Sequence, residues 1–168
     1  QAEEPEEKPG LAALDIKASH GVPPELAQLM GEILLSELKA SGKFGSVLGS
    51  SDMQAMLDLE QQKQALGCDQ ESCLAELGGA LGVPYLLVAS LGRVGKKIML
   101  NMKIIRVDEA QVANRMSQVY DDENALLSAL NNAVDSLIVG SFKADAEVLT
   151  AGSSKASAVP AKAKGSRA

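Results

Sequence analysis

The chain has 168 residues, room for one ordinary domain, and is 46% apolar but only 2% aromatic. The aromatics are Phe44, Tyr85, Tyr120 and Phe142, so the core has to be aliphatic and no base-stacking platform can be assembled. A net charge of −6, one His and two Cys weigh against a nucleic-acid binder and a zinc protein, and no stretch approaches the roughly 18–20 apolar residues of a membrane helix.

Residues 1–9 hold four Glu, one Lys and two Pro, and residues 1–10 read as an acidic flexible linker. Such a spacer, opening on Gln1, is what is expected to follow a removed secretory leader. The segment 144–168 is Ala, Ser, Lys and Gly around Pro160, with Lys155, Lys162, Lys164 and Arg167 at its end, and reads as a disordered basic tail. One domain is expected between them, over 11–143.

Leu11 to Ala18 is a short apolar run suited to a buried strand, ended by His20, Gly21 and Pro23–Pro24. From Pro24 to Ala40 the residues Leu26, Leu29, Met30, Ile33, Leu34 and Leu38 fall on one helical face, with Pro24 in the first turn and Gly42 past the exit. Phe44 to Leu48 is a second short strand. Ser50–Ser51–Asp52 offers an N-cap for a helix reaching about Leu66, with Met53 and Met56 filling core. Ser72 is placed to cap a helix from Cys73 to Leu81, whose Gly78, Gly79 and Gly82 suit close packing and a tight exit.

Tyr85 to Val94 is a continuous apolar strand, turned at Gly95–Lys96. Lys97 to Val107 alternates, with Ile98, Leu100, Met102 and Ile104 on a buried face and Lys97, Met99, Asn101 and Lys103 on a half-wet one. Val112 to Tyr120 returns as an edge strand. Asp121–Asp122–Glu123 caps a last helix ending near Gly140. The expected fold is α/β with the order β-α-β-α-α-β-β-β-α: a mixed sheet, parallel in its first half and a meander in its second, with helices packed on it.

The succession Gly67-Cys68-Asp69, Ser72-Cys73-Leu74-Ala75-Glu76-Leu77-Gly78, Ala80-Leu81-Gly82 and Tyr85-Leu86-Leu87-Val88 carries a resemblance. It continues through Leu91-Gly92-Arg93-Val94-Gly95 and Met102-Lys103-Ile104-Ile105-Arg106-Val107. Over residues 11–140 the chain resembles the bacterial envelope domains related to the N-terminal domain of TolB, a group with the curli-secretion subunit CsgG and the LpoB-type activators of cell-wall synthases. The resemblance implies a non-catalytic, protein-binding domain of the periplasm or the outer-membrane-associated envelope, acting as accessory or scaffold. A homo-oligomeric ring subunit of a secretion or motility apparatus is the alternative. The turns at Gly95 and Asp108 are tight, which leaves no chain for inserted membrane hairpins.

Cys68 and Cys73 lie at the start of a helix, where a turn brings two Cα atoms within disulfide reach; an oxidising compartment gives a bridge and a reducing one gives free thiols. Two thiolates and one distant His do not complete a zinc site. His20 follows a strand but has no nucleophile motif beside it, and the glycines at 78, 79 and 82 lack the strand-to-helix setting of a phosphate loop. No catalytic residue, cofactor or metal is therefore expected. Arg93, Lys96, Lys97 and Lys103 make a basic hairpin on an acidic domain. Arg93, Lys96 and Lys97, with the edge-strand residues Asn114, Arg115 and Gln118, form the candidate partner surface, for other envelope proteins or for a second copy of the chain.

Overall fold

A computed structural model describes residues 8–19 and 21–147, with side chains as far as Ser141. Residues 1–7 of the expected linker 1–10, His20, and residues 148–168 of the expected tail 144–168 lie outside the described residues; Gly10 already belongs to the first strand and residues 144–147 to the last helix. The elements are β1 (Gly10–Ala13), β2 (Lys17–Ala18), α1 (Pro24–Ala40), β3 (Ser46–Leu48), α2 (Ser50–Met56), α3 (Leu59–Leu66), α4 (Glu71–Leu81), β4 (Tyr85–Val94), β5 (Lys97–Arg106), β6 (Gln111–Tyr120) and α5 (Glu123–Glu147).

One mixed six-stranded sheet runs β3-β1-β4-β5-β6, with β2 also paired to β4. β1 is parallel to both β3 and β4, and β4, β5 and β6 form the antiparallel meander. A strand paired on both edges and buried on both faces reads as an unbroken apolar run, which explains Leu11, Ala12 and Ala13.

The expected single strand Leu11–Ala18 is broken. Against β4, β1 pairs Leu11 with Tyr85, whereas β2 pairs Lys17 with Ser90, so the two strands differ in register by one residue. The extra residue lies in Leu14–Ile16. Here the Leu14 N–H still reaches the Leu87 carbonyl (3.0 Å), and Asp15 swings out to accept from Ser50 Oγ (3.0 Å). Side chains alternate with period two, so this slip turns Ile16 into the core and Lys17 outward.

The expected helix over 50–66 is two helices. Asp58 accepts from the Gln61 N–H (2.8 Å) and Gln61 Oε1 accepts from the Asp58 N–H (3.0 Å), a reciprocal cap that starts α3 afresh. Leu57 just before it is extended and buried, and Met56 is left outside, 51% exposed, so only Met53 fills core. α2 starts after Gly49, whose N–H donates to Asp52 Oδ2, and Ser50 is already helical. α4 starts at Glu71 after Gln70; Ser72 lies inside it and caps nothing.

α5 does not stop at Gly140. Ser141 continues it, buried, with its Oγ donating to the Leu137 carbonyl (2.8 Å). Gly140 serves packing instead: an ideal Cβ there would overlap Asn114 Nδ2 of β6. At Gly78 in α4 such a Cβ would overlap Val107 Cγ2. Both helices approach the sheet more closely than alanine permits.

The core has two layers. α1 and α5 pack on one face over Leu11, Ala13, Leu87, Ala89, Leu91, Ile98, Leu100, Met102 and Ile104. On the other face, Met53, Leu57, Leu74, Leu77 and Leu81 from the α2–α4 segment cover Ala12, Leu86 and Ile105. Each fully buried Leu or Ile contributes roughly 1.5–3 kcal/mol, so a core this aliphatic, with Phe44 its one buried aromatic among the described residues, holds the fold.

Candidate interaction surface

The two faces of the sheet are unequally covered. The second core cluster ends on the meander at Val88, Ile105, Val107 and Val112. Beyond it, one face of the meander has no helix over it among the described residues. Cross-strand pairing sorts its side chains into rows: Val88, Lys103 and Arg115; Lys17, Ser90, Asn101 and Ser117; Gly92, Met99 and Val119.

The central row is hydrogen-bonded across three strands. Ser117 Oγ donates to Asn101 Oδ1, and Asn101 Nδ2 donates to Ser90 Oγ (3.4 Å). Asn101 is thereby held in one orientation between its neighbours. In the next row Gly92 contributes no side chain, so Met99 and Val119 form a shallow apolar patch, with Val119 44% exposed.

The charge is one-sided. β4, β5 and β6 contain no Asp or Glu and carry Arg93, Lys97, Lys103, Arg106 and Arg115. Acids from the flanking elements meet most of them: Lys97 and Asp121 at 2.6 Å, Lys103 and Glu71 at 3.5 Å, Arg106 and Glu109 at 3.5 Å. A hydrogen bond from Lys97, and then its charge, hold the Asp121 carboxyl below the usual carboxylate range. Glu71 is held low by its own backbone N–H first and the Lys103 charge second, with Arg115 adding to that field. Burial alone pushes the Tyr120 hydroxyl up.

The structure separates the six residues expected to form one partner surface. Arg93 lies on the α5 side, where its Nε donates to the Gly21 carbonyl (3.0 Å) and its Nη2 pairs with Glu123 (3.2 Å). It ties the hairpin to the start of α5. Asn114 is under α5, its Nδ2 donating to the Leu137 carbonyl (3.1 Å). Gln118 is exposed on that same side. Lys96 sits in the tight turn, and only Lys97 and Arg115 belong to the open face. The alternation of β5 alone sets Met99, Asn101 and Lys103 beside Lys97 on the outer face; what the sequence reading did not reach is Lys17, Ser90, Ser117 and Val119, which the cross-strand pairing brings to that same face.

Cys68 and Cys73 form a disulfide with Cα atoms 5.6 Å apart. Cys68 is buried and α3 itself has no buried residue, so the bridge ties the end of α3 to α4, beside a hydrogen bond from Gln64 Nε2 to Glu76 Oε1 (3.4 Å) and the half-buried Ala65. A groove of about 640 Å³ opens outside the carboxyl ends of β1 and β3, where α/β folds often place ligands. It is lined by Asp15, Glu32, Lys39 and Asp52, and among the described residues its Ser50–Asp15 pair has no imidazole to take a proton from the hydroxyl. Among the described residues no group of three or more His, Cys, Asp or Glu is arranged to hold a metal, and no helix is long and apolar enough to cross a membrane.

No family model matches the chain, and no curated protein does. Solved structures do. The LpoB C-terminal domain from Escherichia coli aligns over 66% of this chain and 81% of its own, at 14% identity and a TM-score of 0.51. TolB from Acinetobacter baumannii aligns over 82% of this chain and 29% of its own, at 15% identity and 0.50. Lipoprotein GNA1162 from Neisseria meningitidis aligns over 77% and 96%, at 13% identity and 0.50. At such identities the likeness is one of fold: a mixed α/β domain of the LpoB and TolB type, with five helices and a six-stranded sheet.

Proposed function

We propose that this domain is a non-catalytic interaction module of the bacterial cell envelope, working on the periplasmic side as an accessory or scaffold for an envelope machine. The observation that carries the reading is the uncovered half of the sheet. A hydrogen-bonded polar row fixes the surface, Met99 and Val119 give it an apolar patch, and Lys17, Lys103 and Arg115 give it positive charge on an acidic domain. A rigid polar row with a small apolar patch on one side of it and cations on the other is the kind of surface that recognises another protein. The fold shared with the LpoB domain, TolB and a lipoprotein supports the placement in the envelope. The matching partner element has an apolar stripe bordered by carboxylates.

The test is a photo-reactive side chain placed at Asn101 in the source bacterium. One defined adduct, lost when Arg115→Glu is added, is the expected result. Adducts no different from those of a probe at Ser36 on the outer side of α1 would overturn the reading.

A further inference from the structure

We infer that β6 is an interface between two copies of this chain, joined antiparallel about a two-fold axis at Ser117. β6 is the long edge of the sheet: it has ten residues against three in β3 at the other end, and its outer backbone groups have no partner among the described residues. Soluble domains blunt such edges with proline, bulges or charge. Here the register shift opposite Ile104 and Ile105 places an extra residue at Ala113, near the start of the strand, and the single charge is Arg115. From Met116 to Tyr120 there is no proline, no bulge and no charge.

The regular part of β6, Asn114–Tyr120, is seven residues long and centred on Ser117. Full antiparallel overlap of two such segments sets Ser117 against Ser117 of the partner subunit and Met116 against the partner's Gln118. Arg115 then lies opposite the partner's Val119, with the partner's Asp121 on the diagonal. No like charges meet, and Asp121, already paired with Lys97, gains a second cation from across the axis. Sliding the strands to oppose Arg115 with its own copy sets two guanidinium groups together and drags the Ala113 bulge into the pairing. As far as Ser141, the flank of α5 that lies over β6, marked by Gly140 against Asn114, is lined by Ala125, Ala129, Ala133 and Ser136, so among the described side chains nothing bulky or charged there blocks a second sheet from continuing past the edge. Such an interface is isologous and closes at two copies, so it does not build a ring. It is made by the edge backbone of β6, with Arg115 and Val119 contributing from the rim of the open face; a defined adduct at Asn101 alongside a monomeric Ser117→Cys protein would sink this interface and leave the function proposed above standing.

The experiment is a cysteine trap in the full chain, where the native pair is already bridged and leaves no other thiol among the described residues. Ser117→Cys, mildly oxidised, is expected to give a disulfide-linked dimer. Gln118→Cys is expected to be at least about tenfold slower, because the partner's residue 118 is then more than about 7 Å away. Val119→Lys, which sets an ammonium group against the partner's Arg115, is expected to abolish the cross-link in the Ser117→Cys background. Adding Arg115→Glu is expected to restore it. A folded Ser117→Cys protein that stays monomeric, equal trapping at 118, or an edge that pairs only with an added foreign strand overturns the proposal.

Discussion

Asn114 and Leu137 are joined across the edge of the sheet: the Asn114 amide donates to the Leu137 carbonyl at 3.1 Å, beneath α5. The contact brings α5 down on β6 at the one place where the helix carries Gly140. Helix propensity alone makes Gly140→Ala stabilising by about 1 kcal/mol. Steric conflict with Asn114 makes it destabilising, by about 1–3 kcal/mol. The conflict is expected to win, because an added Cβ would overlap an amide fixed by its own hydrogen bond. Urea unfolding of the wild type and Gly140→Ala decides the sign; a stabilised variant would show that α5 does not sit this close.

Cys68 is the buried anchor between Leu57 and Leu74. Replacing both Cys68 and Cys73 with Ser is expected to cost roughly 2 kcal/mol, the modest value that closing a short loop allows. The change should be local. Amide exchange is expected to accelerate over α3 and the turn to Gln70 while β4 and β5 keep their protection. Uniform acceleration across the sheet would contradict this arrangement.

The Asp121 and Glu71 carboxyls both titrate below their ordinary values in the folded chain. A depressed carboxyl adds stability above its unfolded pKa and loses it as pH falls through the folded one. Melting temperature is therefore expected to drop in the acid range below about pH 4, and the drop to be shallower in Asp121→Asn with Glu71→Gln. Both groups are in contact with water, so the difference should shrink in high salt. A variant that is as acid-sensitive as wild type in low salt would refute the assignment.

Arg115→Glu and Asn101→Ala address binding apart from folding. Both residues lie on the open face, outside either core cluster, and each change is expected to alter stability by less than about 1 kcal/mol. A partner captured on that face is expected to be lost from Arg115→Glu and weakened in Asn101→Ala, measured by titration against the purified partner. Undiminished affinity in both would move the binding surface elsewhere.

The sequence made most of the architecture legible because its periods are clean. Leu26 to Leu38 repeats as a helix, and Ile98 to Ile104 alternates as a strand, so α1, β4, β5 and β6 fall close to their expected bounds. It was less legible where a local polar contact competes with the apolar pattern. The Asp58–Gln61 cap divides a helix whose hydrophobic spacing runs on, and the Ser50–Asp15 contact sits at a step in a strand whose composition does not change. Gly140 is the converse case, a residue that reads as a stop and acts as a spacer. The disulfide was visible as a possibility, since reach depends on the turn between Cys68 and Cys73. The candidate surface was half visible: cations mark it, but facing depends on parity, and Arg93, Asn114 and Gln118 share strands with Lys97 and Arg115 or their neighbours while pointing to the opposite side.

The step at Leu14–Ile16 has a genetic consequence. Connecting segments ordinarily absorb the loss of a codon, and here the loss of Asp15 would only remove the extra residue: Ile16 would come opposite Ala89 and still face the core, and Lys17 would stay opposite Ser90. An added codon is the damaging change, because it would carry the Lys17 ammonium on to Leu91 and into an oily interior unless a second bulge took it up. The segment resembles a loop in shape, yet it tolerates shortening and not lengthening.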